Sequence, residues 1–224
     1  MLTRKMRGII QKARRNGWVM EPDAKRLLSL AGLPVPCCQV AATEAEATDA
    51  ANAIGYPLVA KVVSTAVVHK SDVKGVEVGI QNLSTLKAAY KRLAKINGFA
   101  GMLVEEQLPG IELIVGAKVD EQFGPVVLLG IGGTGVEIYQ DTAVRMAPID
   151  AKDVRAMVDR LKGAALIKGH RGDSGVDIGA LTDLMLKFSD LVMALKDAID
   201  AIDLNPVMCT GHRCVIADAR IMLS

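Results

Sequence analysis

His69 is the first residue whose type invites chemistry: one of three histidines in the 224-residue chain, it opens the run His69-Lys70-Ser71-Asp72-Val73-Lys74-Gly75-Val76. Much of an imidazole is unprotonated at neutral pH, so it can attack a phosphoryl group and then pass it on. Upstream, Lys61 sits inside the apolar run Pro57-Leu58-Val59-Ala60-Lys61-Val62-Val63. Burying an ammonium in such a strand is costly unless an anion meets it, so Lys61 either lies at a strand edge or binds a ligand. The loop after it offers backbone donors, the Ser71 hydroxyl and lysines 70 and 74, the materials of a phosphate cradle, but with Gly75 as its single glycine.

Three more constellations follow. In Glu105-Glu106-Gln107-Leu108-Pro109-Gly110-Ile111-Glu112 a strand ends in carboxylates, turns at Pro-Gly and resumes with another carboxylate. Such a turn can present backbone to a base and Glu112 to ribose hydroxyls, or it is an exposed strand end guarded by charge. Gly130-Ile131-Gly132-Gly133-Thr134-Gly135-Val136-Glu137, with Asp141 and Arg145 downstream, has GxGGxG spacing and no long helix after it. That excludes a dinucleotide fingerprint and leaves a bend at which backbone approaches a ligand or another element closely. Last comes a hairpin carrying Asp203-Leu204-Asn205-Pro206 on one side and Ala217-Asp218-Ala219-Arg220 on the other. A turn centred on Thr210-Gly211 sets Asp203 opposite Asp218 and Asn205 opposite Ile216, gathering two carboxylates and an amide on one face. Hard oxygens in that number suit magnesium, which keeps its remaining positions for phosphate and water.

The elements that must position these residues are punctuated clearly. Helices are predicted at 22–31, stopped by Gly32; at 43–54, opened by the capping box of Thr43 and Glu46; and at 82–97, with Leu83, Leu86, Tyr90, Leu93 and Ile96 on one stripe. Between them lie β-branched runs at 39–41, 58–63, 76–80 and 102–107. A second block offers strands at 111–119, 126–129, 136–139 and 143–146, helices at 151–161 and 182–196, and the closing hairpin of 201–208 and 213–220. This is an α+β chain of two subdomains, 21–107 and 108–224, with a hinge near 107–110 and a basic helical extension over 1–20. That extension carries Arg4, Lys5, Arg7, Lys12, Arg14 and Arg15 around Met6, Ile9 and Ile10, as a solvated face or a docking surface for a partner.

Lys and Arg number 27 against 25 Asp and Glu, so no global field points to nucleic acid or membrane, and 3% aromatic residues supply no stacking platform for single strands. No run approaches the roughly 18–20 apolar residues that span a bilayer, and the first residues lack the apolar segment of a signal peptide, so a cytoplasmic location is expected. The four cysteines show no CxxC spacing and read as reduced thiols.

Read in order, these pieces resemble the ATP-grasp domain of ADP-forming acetyl-CoA and related acyl-CoA synthetases, over nearly the whole chain from Pro22 to Leu223. The resemblance rests on the Gly55-Tyr56-Pro57 strand with Lys61, the His-Lys-Ser-Asp loop, Gly132-Gly133 followed by Val136-Glu137 and Arg145, the segment Lys168-Gly169-His170-Arg171-Gly172, and Asp203-x-Asn205-Pro206 with Asp218. It implies an ATP-grasp fold with nucleotide between two α+β subdomains, and an acid–CoA ligase that interconverts acid, CoA and ATP with acyl-CoA, ADP and phosphate. By resemblance, Lys61 binds nucleotide phosphates and the loop of Ser71, Lys74, Gly75 and Val76 covers them. Glu105 and the backbone near Leu108 hold adenine, and Glu112 the ribose. Asn205 and Asp218 hold Mg2+, with Asp203 beside them, while Glu137 and Arg145 stand with His69 in catalysis. His69 matches the family's mobile phosphohistidine, which carries phosphate between ADP or ATP and a separate CoA-binding subunit, the two chains forming a heterotetramer. Lys74 departs from the pattern, standing where a second loop glycine is usual; so do Ala201, for an acidic residue, and His170, for tyrosine. Two other functions fit parts of the pattern: an ATP-grasp ligase that uses no phosphohistidine, and a nucleotide-sensing module without catalysis.

Overall fold

The basic N-terminal stretch folds as helix α1 (Arg4–Ala13), whose first turn is capped by Thr3, its hydroxyl accepting from the Met6 amide at 3.2 Å. The charged side chains Arg4, Lys5, Arg7 and Lys12 are exposed, while Met6, Ile9, Ile10 and Ala13 are buried. A two-residue strand β1 (Trp18–Val19) and helix α2 (Glu21–Leu30) follow. The computed structural model describes residues 2–133, 141–169 and 175–224.

The chain divides into two units, Pro36–Leu108 and a second made of Met1–Val35 with Pro109–Ser224. One boundary falls at 108–109, the other at 35–36. The first 35 residues do not belong with the N-terminal subdomain, however, nor do residues 1–20 form an extension. β1 pairs antiparallel with the C-terminal strand β11 (Arg220–Leu223), Val19 opposite Ile221, and the apolar side of α1 joins the same core as Leu204 and Ile221. Each such aliphatic side chain contributes roughly 1.5–3 kcal/mol by leaving water, enough to hold the segment there.

The 36–108 unit is a four-stranded antiparallel sheet, ordered β2-β5-β3-β4, from β2 (Cys38–Ala41), β3 (Leu58–Ser64), β4 (Val76–Ile80) and β5 (Phe99–Glu106). Helices α3 (Glu44–Ile54) and α4 (Leu83–Leu93) cover one face: Leu58, Ala60, Val62, Met102 and Val104 pack with Ala47, Ala50, Leu86 and Leu93. Thr43 caps α3 as predicted, but Glu46 reaches the amide of Ala42 at 2.6 Å rather than that of Thr43, so the capping box closes one residue early.

In the other unit, β6 (Ile111–Asp120), β7 (Gly124–Ile131), β8 (Thr142–Met146), β9 (Ile199–Cys209), β10 (Cys214–Ile216), β1 and β11 form a seven-stranded antiparallel sheet, ordered β1-β11-β9-β6-β7-β8 with β10 beside β9. Helices α5 (Ala151–Arg160), α6 (Ala164–Lys168) and α7 (Ile178–Leu195) complete it. Inward residues Leu113, Val115, Val127, Leu129 and Leu204 share a core with Met157, Leu184, Phe188 and Val192, so one sheet face is apolar and helix-covered. The predicted strand at 136–139 lies outside the described residues.

The closing hairpin differs from its expected register. Cys214 stands opposite Cys209, Ile216 opposite Val207, and Arg220 opposite Asp203, two residues away from the predicted pairing. Thr210 causes the shift: its amide donates to the Arg213 carbonyl at 2.8 Å and its hydroxyl accepts from the amides of His212 and Arg213, so the turn spans four residues and centres beyond Thr210-Gly211. The returning strand also divides, β10 and β11 being separated by Ala217, Asp218 and Ala219.

Candidate active site

The residues singled out by sequence fall on both units, and each half has its own geometry. In the 36–108 unit, β3 runs between β5 and β4, so Lys61 lies in an interior strand rather than at an edge. Register places Lys61 opposite Leu103 and Val59 opposite Glu105, which makes Lys61 and Glu105 diagonal neighbours on the face away from α3 and α4. Their side chains meet at 2.7 Å, Nζ to Oε1, both almost fully buried. The anion that the buried ammonium requires is therefore supplied by the protein itself.

Beyond β3 the chain leaves the sheet and returns at Val76, which pairs with Lys61. His69, Ser71 and Lys74 are exposed. The returning half is a closed turn: the Gly75 amide donates to the Lys70 carbonyl at 2.7 Å, Lys74 to Ser71 at 3.1 Å, and Val62 to Gly75 at 2.8 Å. Lys74 adopts φ 51°, the left-handed conformation that a glycine takes most easily. Gly75 has no room for a side chain, since a Cβ there would stand 2.6 Å from Val62 Cγ1. Leu108, half-buried, ends this unit one residue after Gln107, whose amide donates to the Pro57 carbonyl.

In the other unit, Glu112 on β6 is exposed on the face without helices, and the glycine bend closes directly against it. The Gly132 amide donates to the Glu112 carbonyl at 2.7 Å, and a Cβ on Gly132 would stand 2.8 Å from that oxygen. Asp203 shares this face, opposite Gly116 on β6 and Arg220 on β11. Arg220 Nη2 lies 3.1 Å from Asp203 Oδ2, a partner that sequence reasoning missed although Arg220 stands two residues after Asp218 on the same alternation. Val207–Ile216 and Asp203–Arg220 keep one register across the gap between β10 and β11, which makes Asn205 and Asp218 corresponding positions.

Arg145 is not brought to that face. It stands opposite the buried Val127 on β8, on the helix side, with Nε 3.7 Å from Asp153 Oδ1 of α5. Its expected catalytic role therefore gains no support from its placement. Asp141 accepts the amides of Lys162 and Gly163, both at 2.7 Å, and so ties the end of the glycine segment to the start of α6. Glu137, His170, Arg171 and Gly172 lie outside the described residues.

The hairpin fits magnesium better than a softer metal. Among the described residues no three His, Cys, Asp or Glu side chains cluster as a complete protein cage. A carboxylate with an amide oxygen, leaving most positions to phosphate and water, is the donor set Mg2+ favours. Asp218 and Asn205 carry groups of this kind; Asp218 Oδ1 also accepts the Ala219 amide at 2.8 Å, and Asp203 Oδ2 meets Arg220.

Comparison with known proteins identifies the family. A family model for an ATP-grasp domain matches residues 11–223. The β subunit of acetate–CoA ligase [ADP-forming] I of Pyrococcus furiosus is 38% identical over 98% of this chain and 98% of its own length. In acetate–CoA ligase [ADP-forming] II of Archaeoglobus fulgidus, also 38% identical, the matching region covers 92% of this chain but 30% of the relative. Among solved structures, acetyl-coenzyme A synthetase 1 of Ca. Korarchaeum cryptofilum, in complex with coenzyme A and Mg-AMPPCP and with its phosphohistidine segment pointing towards the nucleotide binding site, superposes with a TM-score of 0.86 at 35% identity, covering 98% of this chain and 100% of that one. The chain thus belongs to the ATP-grasp family and, within it, to the β subunits of ADP-forming acetate–CoA ligases.

Proposed function

We propose that this chain is the nucleotide-binding subunit of an ADP-forming acyl-CoA synthetase and that His69 carries the phosphoryl group. One observation supports the reading above others: an exposed histidine stands on a segment rooted beside the buried Lys61–Glu105 pair, in a chain that matches such β subunits end to end.

In the direction of ATP use, an unprotonated ring nitrogen of His69 attacks the γ-phosphorus, the bond from that phosphorus to the β,γ-bridging oxygen breaks, and ADP leaves with the electron pair. The proton displaced from the imidazole passes to solvent. In reverse, ADP attacks the phosphohistidine and restores ATP. Lys61 binds nucleotide phosphates in sharing its charge with Glu105, and amides of the Lys70–Gly75 turn provide further donors; offsetting charge on the transferring group is the main demand of phosphoryl transfer. Glu105 and the Leu108 backbone hold the base and Glu112 the ribose. Asn205 and Asp218 hold Mg2+, which when bound lowers the charge on the phosphate oxygens.

The acid and CoA half of the reaction belongs to a partner. Two kinds of relative support that division: a longer ligase in which the matching region is 30% of the chain, and a β subunit matched over 98% of its own length. We place the assembly in the cytoplasm; among the described residues no helix is long and apolar enough to cross a membrane.

Mixing the chain with Mg2+ and γ-labelled ATP tests the reading. An acid-labile, base-stable phosphoprotein that forms in wild type and not in His69→Ala is the expected result. Tight ATP binding without label in either protein, with the CoA-binding partner present, would instead indicate a sensing module or a ligase independent of histidine.

A further inference from the structure

The segment between β3 and β4 leaves and re-enters the sheet at two roots, one tied to the turn that follows α4 and the other to the last turn of α4 itself. At the first, the Ser64 hydroxyl donates to the Asn97 carbonyl at 2.8 Å and accepts from the Ala66 amide at 3.1 Å. Gly98 makes room for that contact: a Cβ there would stand 2.9 Å from both Ser64 Oγ and Ala66 Cβ. At the second root, Arg92 in the last turn of α4 donates through Nη1 to the Lys74 carbonyl and through Nη2 to Glu77 Oε2, the latter at 2.5 Å. These acceptors flank Gly75, where the backbone has just passed through the left-handed Lys74.

We propose that Arg92 is a positioning residue for phosphoryl transfer, fixing the second root of the His69 segment so that the imidazole is presented at a set height and direction; this rests on the phosphoryl-carrier reading above. A guanidinium suits the task because its planar fork can hold a carbonyl and a carboxylate at once, and Lys74 and Glu77 belong to the two sides of the root. A lysine could satisfy one acceptor but not fix the angle between them. Arg92 lies in none of the nucleotide or metal constellations, and its side chain is 40% exposed, so its removal leaves the core intact.

The test is single-turnover labelling of the full chain by γ-labelled Mg-ATP at saturating nucleotide, in wild type, Arg92→Ala, Arg92→Lys and Glu77→Gln. A misplaced nucleophile lowers the transfer rate steeply, so Arg92→Ala should slow labelling by about tenfold to a hundredfold. ATP affinity, by calorimetry, and the melting temperature should stay close to wild type. Arg92→Lys should recover part of the rate, and Glu77→Gln should lose a smaller part in the same direction. A rate at saturation within about twofold of wild type in Arg92→Ala, whether or not affinity changes, overturns the proposal while leaving the phosphohistidine reading intact. Wild-type protein that takes no label even with the CoA-binding partner present overturns both.

Discussion

Lys61 Nζ and Glu105 Oε1 lie 2.7 Å apart on adjacent strands, both buried, on the sheet face that α3 and α4 leave uncovered. Breaking such a pair strands one charge out of water and typically costs about 3–5 kcal/mol, whereas replacing both charges with apolar groups can be neutral or favourable. Glu105→Ala should therefore lower the urea midpoint sharply, and the double variant Lys61→Met/Glu105→Leu should restore it. ATP binding should be lost in both. A double variant that recovers ATP affinity along with stability would remove Lys61 from the nucleotide site.

The metal hairpin makes a graded prediction. Asp218→Asn should raise the Mg2+ concentration for half-maximal labelling of His69 on the order of tenfold, because a hard anionic oxygen is lost. Asp203→Asn should shift it less, since Arg220 already draws on that carboxylate. Equal shifts in a magnesium titration would make Asp203 a ligand on a par with Asp218.

Lys74→Gly suits the backbone at this position, whose φ is 51°. Relief of about 1–2 kcal/mol of left-handed strain is offset by the greater freedom of glycine in the unfolded chain, about 0.4–1 kcal/mol. The melting temperature should consequently move little, while amide exchange through residues 70–76 becomes faster. Unchanged exchange would mean that the turn's own hydrogen bonds, rather than Lys74, set its stiffness.

Cys209 and Cys214 face each other across β9 and β10. The hydrogen bond between them, and then burial, push the Cys209 thiol well above its ordinary value of 9.0. A group with a raised folded pKa contributes stability that is fully present below the unfolded value, so none is lost up to about pH 9. Above it only the unfolded chain ionises, and stability should fall by up to about 1.4 kcal/mol per pH unit for this proton. Cys209→Ala should flatten that decline in denaturation curves taken at pH 8 to 10.5. In the native protein a thiol alkylator should modify the exposed Cys37 and spare the buried pair.

Much of this was legible in sequence because caps and alternation are local signals. Thr43 and Gly55 bound α3, and the β-branched runs became β2 to β5. Relations set by strand order were not legible. No periodicity reveals that β3 lies beside β5, and hence that Lys61 meets Glu105, or that β1 finds its partner some two hundred residues later. Two placements were within reach of the sequence. Alternation from Ala143 already puts Arg145 on the helix side of β8, and Thr210, a residue that readily bonds the backbone two and three residues on, argued for a turn reaching Arg213.

The pairing of β1 with β11 also bears on how the chain is made. As it leaves the ribosome, residues 36–108 hold all four strands of their own sheet, and the bond from the Glu106 amide to the Cys37 carbonyl joins the two ends of that unit. It can thus fold during synthesis. The amphipathic α1 and its neighbours emerge before residues 36–108 yet must wait for residues 220–223, so apolar surface made before that unit is covered after it. A nascent-chain chaperone would find a long-lived binding site there.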